Sequence, residues 1–201
     1  MAKKKQGNEQ ETVRQVTLRG VTDLMFDRYA GDNKTQLRVE QKLYFGRQQG
    51  DGKTLVLPAA NVMSFLSGEN TPSAPKVLLP AKDYKKVCRA MLCYVMIEPQ
   101  EIPITRDGKP IKFNGFGDGD EDEAAGVYIH RSVARLKGGI PNPKIRPTIR
   151  CPWELAFSLR FFRNEEITEE MVQDMFVRGG IAVGLGTFRG VFGKFIVDQW
   201  K

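Results

Sequence analysis

Glycine and basic residues are interleaved near the C-terminal end of the sequence, in the run GGIAVGLGTFRGVFGKF at residues 179–195. Glycine permits positive φ and lacks the Cβ that blocks close approach of another backbone. Peptide N–H groups in such a loop can donate to phosphate oxygens while neighbouring cations neutralise the charge. The run predicts a phosphate-binding loop that contains Gly184, Gly186, Arg189, Gly190, Phe192, Gly193 and Lys194.

The same run does not match the common nucleotide-binding loops. A Walker loop requires Gly-Lys-Ser/Thr at the start of a helix, whereas Gly193 and Lys194 are followed by Phe195 and a β-like segment. A Rossmann fingerprint follows a strand and opens a helix, and here that order is reversed. These departures argue against a bound nucleotide. A Gly-rich hairpin that only turns the chain is the remaining alternative.

A second group of candidate residues is basic. The segment between Arg131 and Trp153 contains no Asp or Glu, and its glycines and prolines indicate an exposed connection between two strands. Cations on such a connection can follow a phosphate backbone without reading bases. A solvated basic loop is the alternative. The predicted nucleic-acid contacts are Arg131, Arg135, Lys137, Lys144, Arg146 and Arg150.

Catalytic and metal chemistry have few candidate residues. His130 is the only histidine and lies in a predicted strand, where a structural role is favoured. The acidic segment 118–123 lacks the spacing of a calcium loop and is interpreted as a solvated loop. Three loop aspartates follow the first predicted strand, and capping of turns is their favoured role: Asp23, Asp27 and Asp32. The sequence therefore predicts no catalytic residue, no metal and no cofactor.

Composition narrows the class of protein. The chain has 201 residues, of which 41% are hydrophobic, so a folded core is expected. Its formal net charge of +7 predicts a polyanionic partner, because each neutralised phosphate releases a counterion. An odd number of cysteines argues against a disulfide framework, and no apolar run reaches the length of a membrane span. No signal peptide is recognised, so we predict a cytoplasmic protein.

These residues must be positioned by strands and helices that the sequence pattern also predicts. Residues 1–12 are interpreted as a basic flexible tail, and 13–201 as a single domain with a variable insertion at about 70–126. The resulting order, strand-helix-strand-strand-helix-strand, predicts an α+β protein with a ferredoxin-like or RRM-like βαββαβ core, insertions and a C-terminal Gly-rich loop. Such a fold leaves one sheet face open for a ligand. The predicted strands are 13–20, 127–136, 148–162 and the final KFIVDQW.

Three helices are also predicted. The first follows Pro58 and stops at Gly68, and the second runs from Ala81 into a strand near Val95. The third is capped by Thr168 and closed by Gly179 and Gly180.

Several of these segments resemble the RAMP superfamily, the RNA-binding proteins of CRISPR systems. The helix that ends in Gly-Gly and is followed by GLGTFRGVFGKFIV resembles the glycine-rich loop of that superfamily. The segments VTLRGVTDLMF, TLVLPAANVMSFLSG and RPTIRCPWELAFSLRFF add to the resemblance, which covers 13–70 and 127–200. Within the superfamily the chain resembles the backbone subunit that polymerises along CRISPR RNA, or a short stand-alone relative in phage genomes.

The resemblance implies binding to the backbone of single-stranded RNA. By position, Gly184, Gly186, Gly190 and Gly193 with Arg189 match the glycine-rich loop. Binding of single-stranded DNA fits the same physical chemistry, and the sequence does not separate the two ligands. It also leaves open self-association into a filament, an endoribonuclease that uses His130 or a loop aspartate, and an interaction protein that engages a CRISPR or phage recombination complex.

Overall fold

The structure is a computed structural model. It describes residues 10–32, 34–47, 53–117, 119–135, 138–139 and 141–201, and the side chain of Arg135 lies outside this description. The strands are β1 (Glu11–Gly20), β2 (Leu24–Met25), β3 (Val56–Pro58), β4 (Val95–Glu98), β5 (Glu101–Arg106), β6 (Lys109–Pro110), β7 (Glu121–Asp122), β8 (Val127–Arg135), β9 (Pro141–Ile149), β10 (Glu154–Phe162) and β11 (Phe195–Trp200). The helices are α1 (Ala59–Ser67), α2 (Ala74–Leu78), α3 (Tyr84–Tyr94) and α4 (Glu169–Ala182), with a 3₁₀ helix at Glu40–Lys42.

The main sheet is antiparallel and has the strand order β11-β1-β10-β5-β3, with β4 also paired to β10 and β6 to β5. Alternate residues of β1 and β10 are buried, as the sequence pattern predicts: Leu18 lies opposite Leu155, and Val16 opposite Phe157. The ring of Phe157 contacts that of Phe176 in α4, at 6.0 Å between centroids. The core therefore lies between one face of this sheet and the helices, and the predicted α+β class is confirmed.

A smaller sheet has the order β2-β9-β8-β7 and is built mainly from the long hairpin β8–β9. The sequence analysis placed residues 127–136 and 148–162 as successive strands of one core, and this assignment is wrong in two respects. Strand β8 belongs to the smaller sheet, and the predicted strand 148–162 is divided into β9 and β10. The division falls at Pro152, which has no N–H to donate to a ladder. In the main sheet β10 pairs instead with β4 and β5, which come from the segment 70–126.

The helix predictions hold with changes at the ends. Residue Thr168 caps α4, because its Oγ1 accepts the N–H of Met171 at 3.3 Å. Gly179 and Gly180 do not close this helix, which continues to Ala182. They instead permit close packing, since a Cβ on Gly179 would lie 2.5 Å from that of Ala74. Gly68 ends α1 as predicted, Pro58 is its N-cap rather than its first helical residue, and α3 leads directly into β4.

The two ends of the chain meet in the main sheet, where β11 pairs with β1. Strand β1 begins at Glu11, within the predicted tail, and residues 1–9 of that tail lie outside the described residues. Within the described ranges, no helix combines the length and the apolar character needed to cross a bilayer.

Candidate nucleic-acid interface

The structure brings the two predicted binding regions together. In an antiparallel pair, directly opposite residues lie on the same face of the sheet, so His130 of β8 and Arg146 of β9 share a face. The Gly-rich loop, residues 183–194, reaches that face, because the ring of Phe192 lies 5.1 Å from the His130 ring. The face that carries His130, Lys144 and Arg146 is called the His130 face below.

The basic segment is not free of counter-charge in the folded chain. Three of its six cations form ion pairs with acids that are distant in sequence. Arg131 pairs with Asp120, Arg146 with Asp27 at 2.8 Å, and Arg150 with both oxygens of Glu121 at 2.9 Å. The segment contains no acid in its sequence, but in the folded chain acids from other segments lie beside its cations.

The acidic segment 118–123 therefore has a structural role rather than that of a merely solvated loop. Its strand β7 pairs with β8, which places Glu121 beside Arg150. Asp122 is buried, and its carboxylate accepts the backbone N–H groups of Asn114 and Ala125 at 2.7 and 3.1 Å. Asp118 lies outside the described residues.

The remaining cations of the predicted set differ in exposure. Lys144 is half-buried and has no ion-pair partner among the residues that the structure describes. Lys137 and the side chain of Arg135 lie outside the described part of the chain. Lys194 is half-buried, and its backbone N–H donates to the Thr22 hydroxyl at 2.9 Å.

The glycine amides of the loop are already used within the chain. The N–H of Gly186 donates to Asn61 Oδ1 at 2.9 Å, that of Gly190 to the Val183 carbonyl at 2.6 Å, and that of Gly193 to the Asp23 carbonyl at 2.7 Å. The Gly184 N–H donates to the Gly179 carbonyl. The predicted cradle of bare amides is therefore corrected: these N–H groups are used within the loop and against α1, α4 and the residue that precedes β2, and they do not face an anion.

The loop is also tightly packed at its base and open at its tip. All four of its glycines have positive φ, and a Cβ on Gly193 would lie 1.9 Å from the Leu185 carbonyl oxygen. A Cβ on Gly190, by contrast, would meet no atom within 4 Å. Glycine is thus required at the base by close backbone contact, which is a structural need of this chain.

Arg189 anchors the loop from inside. Its guanidinium donates to the carbonyl oxygens of Pro72, Gly186 and Asn61 at 2.9, 3.3 and 3.3 Å, and to Ser64 Oγ at 3.3 Å. Burial lowers the pKa of this guanidinium from its usual value, although arginine stays protonated in proteins. The side chain predicted to contact phosphate is therefore committed to holding the loop on α1 and on the segment that precedes α2.

Asp23 joins the loop, the hairpin and the strand connection. Its carboxylate accepts the Tyr128 hydroxyl at 2.8 Å and the Cys151 N–H at 2.9 Å. Burial, together with the hydrogen bond to Asp23, raises the pKa of Tyr128 to about 12. This candidate aspartate is placed where it fixes three segments of backbone.

Asp27 lies in a partly buried charge cluster with Arg146 and Lys42, whose nearest nitrogens are 2.8 and 3.1 Å from its oxygens. Burial opposes the charge of Asp27, but hydrogen bonds and positive charge from Arg146 and Lys42 outweigh burial and hold the pKa of this carboxyl below its usual value. Lys42 also donates to the Ile145 carbonyl at 2.7 Å, which ties the loop after β2 to β9.

Asp32 is exposed, and its carboxylate accepts the Thr35 hydroxyl and the N–H groups of Thr35 and Lys34 at 2.6–2.7 Å. These bonds lower the pKa of Asp32 and form the turn-capping pattern that the sequence predicts for a loop aspartate. Among the described residues, no cluster of three or more His, Cys, Asp or Glu side chains is arranged to hold a metal ion.

A groove of about 770 Å³ lies between the loop after β2 and the outer edge of β9. It is called the β9 groove, and the residues used below are Asp27, Arg28, Tyr29, Asp32, Arg38, Lys42 and Lys144, all of which line it. Arg38 is exposed, and Arg28 lies over the ring of Tyr44 at 5.5 Å. Tyr29 is 64% exposed. The sequence analysis missed the groove as a site, although the basic and aromatic run DRYAGDNKTQLR is the signal that marks it.

The outer edge of β9 presents acceptors to this groove. The Pro147 carbonyl accepts the Phe26 N–H, and the Ile145 carbonyl accepts Lys42 Nζ. The backbone N–H and C=O groups of the odd-numbered residues of β9 therefore point away from β8. Pro141 and Pro143 share that orientation with Pro147, and none of the three has an N–H. From residue 141 to 147 the outer edge therefore carries one N–H group, that of Ile145.

The open face of the main sheet is a poorer candidate than the sequence analysis expected. Its cation Arg160 is held between Glu11 and Glu98, at 3.3 and 3.1 Å. Arg19 lies 3.8 Å from Asp198. Both cations are paired with acids on the same face, so this surface offers little excess positive charge to a polyanion.

The similarity of this chain to known proteins is limited to structure. No protein-family model matches it, and no curated protein matches it. One solved structure that is similar is a chain of the Type III-B Cmr-beta, determined by cryo-EM bound to cognate target RNA. The two chains share 14% identity with a TM-score of 0.48, and the alignment covers 96% of this chain and 60% of that one. At this score the likeness assigns neither a subunit type nor a function.

Proposed function

We propose that this protein binds single-stranded nucleic acid, with RNA as the favoured ligand, through the sugar-phosphate backbone and without reading base sequence. The observation that carries the proposal is the β9 groove. Arg28, Arg38 and Lys144 line it without an ion-pair partner among the described residues. Its acids are already engaged, Asp27 by two cations and Asp32 by its own turn. The net positive lining suits phosphates.

The form of the groove favours a single strand over a duplex. It is bounded by an irregular loop and the edge of one strand. Among its described lining residues the only helical segment is the 3₁₀ helix Glu40–Lys42, which is too short to enter a major groove. Exposed Tyr29 offers a ring on which an unpaired base can stack, and such stacking tolerates every base. Cationic side chains that contact the phosphate backbone, next to an aromatic ring, are the usual combination in proteins that bind single strands without sequence preference.

We further infer that the main sheet is a ferredoxin-like core of RAMP type. Strands β1, β4, β10 and β11, with α1 to α3 after β1 and α4 after β10, follow the βαββαβ order. The glycine-rich segment that carries the family resemblance lies against α1, whose sequence also belongs to the resemblance. Self-association along a strand and membership of a CRISPR or phage complex remain predictions from that resemblance.

The test is a titration of salt dependence. Fluorescence anisotropy would measure the affinity of a labelled single-stranded RNA, its DNA equivalent and the corresponding duplexes at several salt concentrations. Arg38→Ala with Lys144→Ala is expected to weaken binding to every sequence alike and to reduce the magnitude of the slope of log K against log salt by about 1.4, for two phosphate contacts on a single strand.

The matched control is Lys82→Ala with Lys109→Ala, which removes the same charge from exposed positions outside the groove. It should leave the slope nearly unchanged. Equal losses for the two double variants would mean that binding follows net charge alone. An unchanged affinity and slope for the groove variant would reject the groove as the binding site.

A second candidate function is cleavage of the bound strand. One observation favours it: Asp32 is an exposed carboxylate that lines the β9 groove together with the cations proposed to contact phosphate. Labelled RNA incubated with the protein and Mg²⁺ would be cut, and Asp32→Asn would abolish the cutting. Protection of the RNA without cutting, in Mg²⁺ and in a chelator alike, would leave binding as the whole function.

A further inference from the structure

The tip of the Gly-rich loop carries an exposed aromatic side chain. Phe188 is 53% exposed, and its ring lies 5.9 Å from that of Phe192. The Phe192 ring in turn lies 5.1 Å from the His130 ring on β8. The three rings form a row that runs from solvent to the His130 face.

The backbone conformation at the tip is energetically unfavourable for phenylalanine. Phe188 has φ +57°, a left-handed conformation that bulky residues rarely adopt. Gly190, two residues later, has φ +90° and open space around it. The same loop thus shows that glycine serves such a backbone, whereas Phe188 adds both strain and exposed apolar surface. Strained backbone conformations that the surrounding contacts hold in place are found preferentially at ligand-binding and active sites.

The row of rings lies beside the positive surface. His130 is directly opposite Arg146, whose partner Asp27 lines the β9 groove. Lys144 lies two residues before Arg146 on β9. A strand whose phosphates contact Lys144 therefore has aromatic surface one strand away. Rings alternating with cations suit a nucleobase, because every base presents a π-face next to a charged backbone.

We propose that Phe188, Phe192 and His130 form a base-stacking platform that accepts unpaired bases of the strand held in the β9 groove. This inference rests on the proposed function and adds to it the discrimination of single strands from duplexes, whose bases are already stacked. Removal of a stacking ring weakens binding by roughly fivefold to 150-fold per base.

The experiment compares two ligands of equal charge: a labelled single-stranded oligonucleotide and the same backbone with a run of abasic sites. Phe188→Ala is expected to weaken binding of the first about tenfold and of the second hardly at all. Phe188→Trp should restore the affinity. A 2-aminopurine base in the strand should be quenched on binding to the wild-type protein and less quenched by Phe188→Ala.

The matched control is Val191→Ala, because Val191 is 54% exposed on the same loop and belongs to none of the ring contacts. It should bind both ligands as the wild type does. Phe188→Gly separates function from folding: glycine relieves the positive φ, so its thermal midpoint should not fall while its base-dependent affinity does.

The outcomes distinguish the two proposals. If the groove variant loses affinity but the wild type binds abasic and ordinary strands equally, the platform is wrong and groove binding stands. If the wild type binds neither ligand, the proposed function fails as well. If Phe188→Ala changes the mass measured by light scattering without nucleic acid, the tip is a contact between protein chains and the platform is rejected.

Discussion

The Gly-rich loop and the β9 groove each contain arginine, yet they use it in opposite ways. In the loop, Arg189 donates to four acceptors of its own chain, and the glycine amides are likewise occupied. In the groove, Arg38 is exposed and has no ion-pair partner among the described residues. A basic residue therefore signals a ligand only when the fold leaves its donors free, and its neighbours in sequence do not decide that.

The largest expected effect tests how tightly the base of the loop is packed. Gly193→Ala should lower the free energy of unfolding by about 2–5 kcal/mol, because a Cβ there combines positive φ with overlap on the Leu185 carbonyl. Gly190→Ala, at a similar φ but with open space, should cost only about 1–2 kcal/mol. Urea denaturation of both variants measures the difference. Equal losses would show that base and tip are equally constrained.

The next effect separates an anchoring arginine from a ligand-binding one. Arg189→Ala should lower the free energy of unfolding by about 2–3 kcal/mol, since four acceptors, three of them in part-buried hydrogen bonds, lose their charged donor. Arg38→Ala should change stability by less than about 0.5 kcal/mol and reduce the magnitude of the salt slope by about 0.7. Denaturation and salt titration of both variants would test this. A stable Arg189→Ala protein with a flatter salt slope would reverse the assignment.

The smallest effect concerns the charge cluster between the two regions. Because the folded pKa of Asp27 lies below the unfolded value of about 3.9, its stabilisation is present at neutral pH and is lost as pH falls through the folded pKa. Asp27→Asn should therefore cost about 1 kcal/mol at pH 7, and the difference from wild type should shrink towards pH 3. Unfolding curves at both pH values would show this.

The control for that pH dependence is Glu165→Gln, an exposed acid without an ion pair among the described residues. Its stability should follow that of the wild type at both pH values. A difference between Asp27→Asn and wild type that persists at low pH would mean that the side chain stabilises by shape and not by charge.

The elements with strong periodicity were predictable because burial of one face fixes the pattern. Strands β1 and β10 alternate between buried and exposed residues, and α4 carries one apolar stripe after a capping threonine. Alternation does not say which sheet a strand joins, which is why β8 was assigned to the main core. Pairing partners are set by contacts distant in the chain, and the β4–β10 pair is one of these.

The candidate site was predictable in its location and not in its chemistry. The hairpin and the Gly-rich loop do meet, as His130 and Phe192 show. The neutralising acids are far away in sequence: Asp27 reaches Arg146 across 119 positions, and Glu121 reaches Arg150 across 29. No local pattern reports such pairs, so the segment seemed more positive than its folded surface is.

The prolines of β9 affect how neighbouring copies of this protein can contact one another on one long ligand. An exposed strand edge can pair with a strand of another molecule, because it presents unpaired backbone N–H and C=O groups. Because Pro141, Pro143 and Pro147 have no N–H, only that of Ile145 remains on the outer edge from residue 141 to 147. Pairing of this edge with a strand of a neighbouring molecule is therefore disfavoured, so molecules bound side by side on one ligand should not be joined through β9.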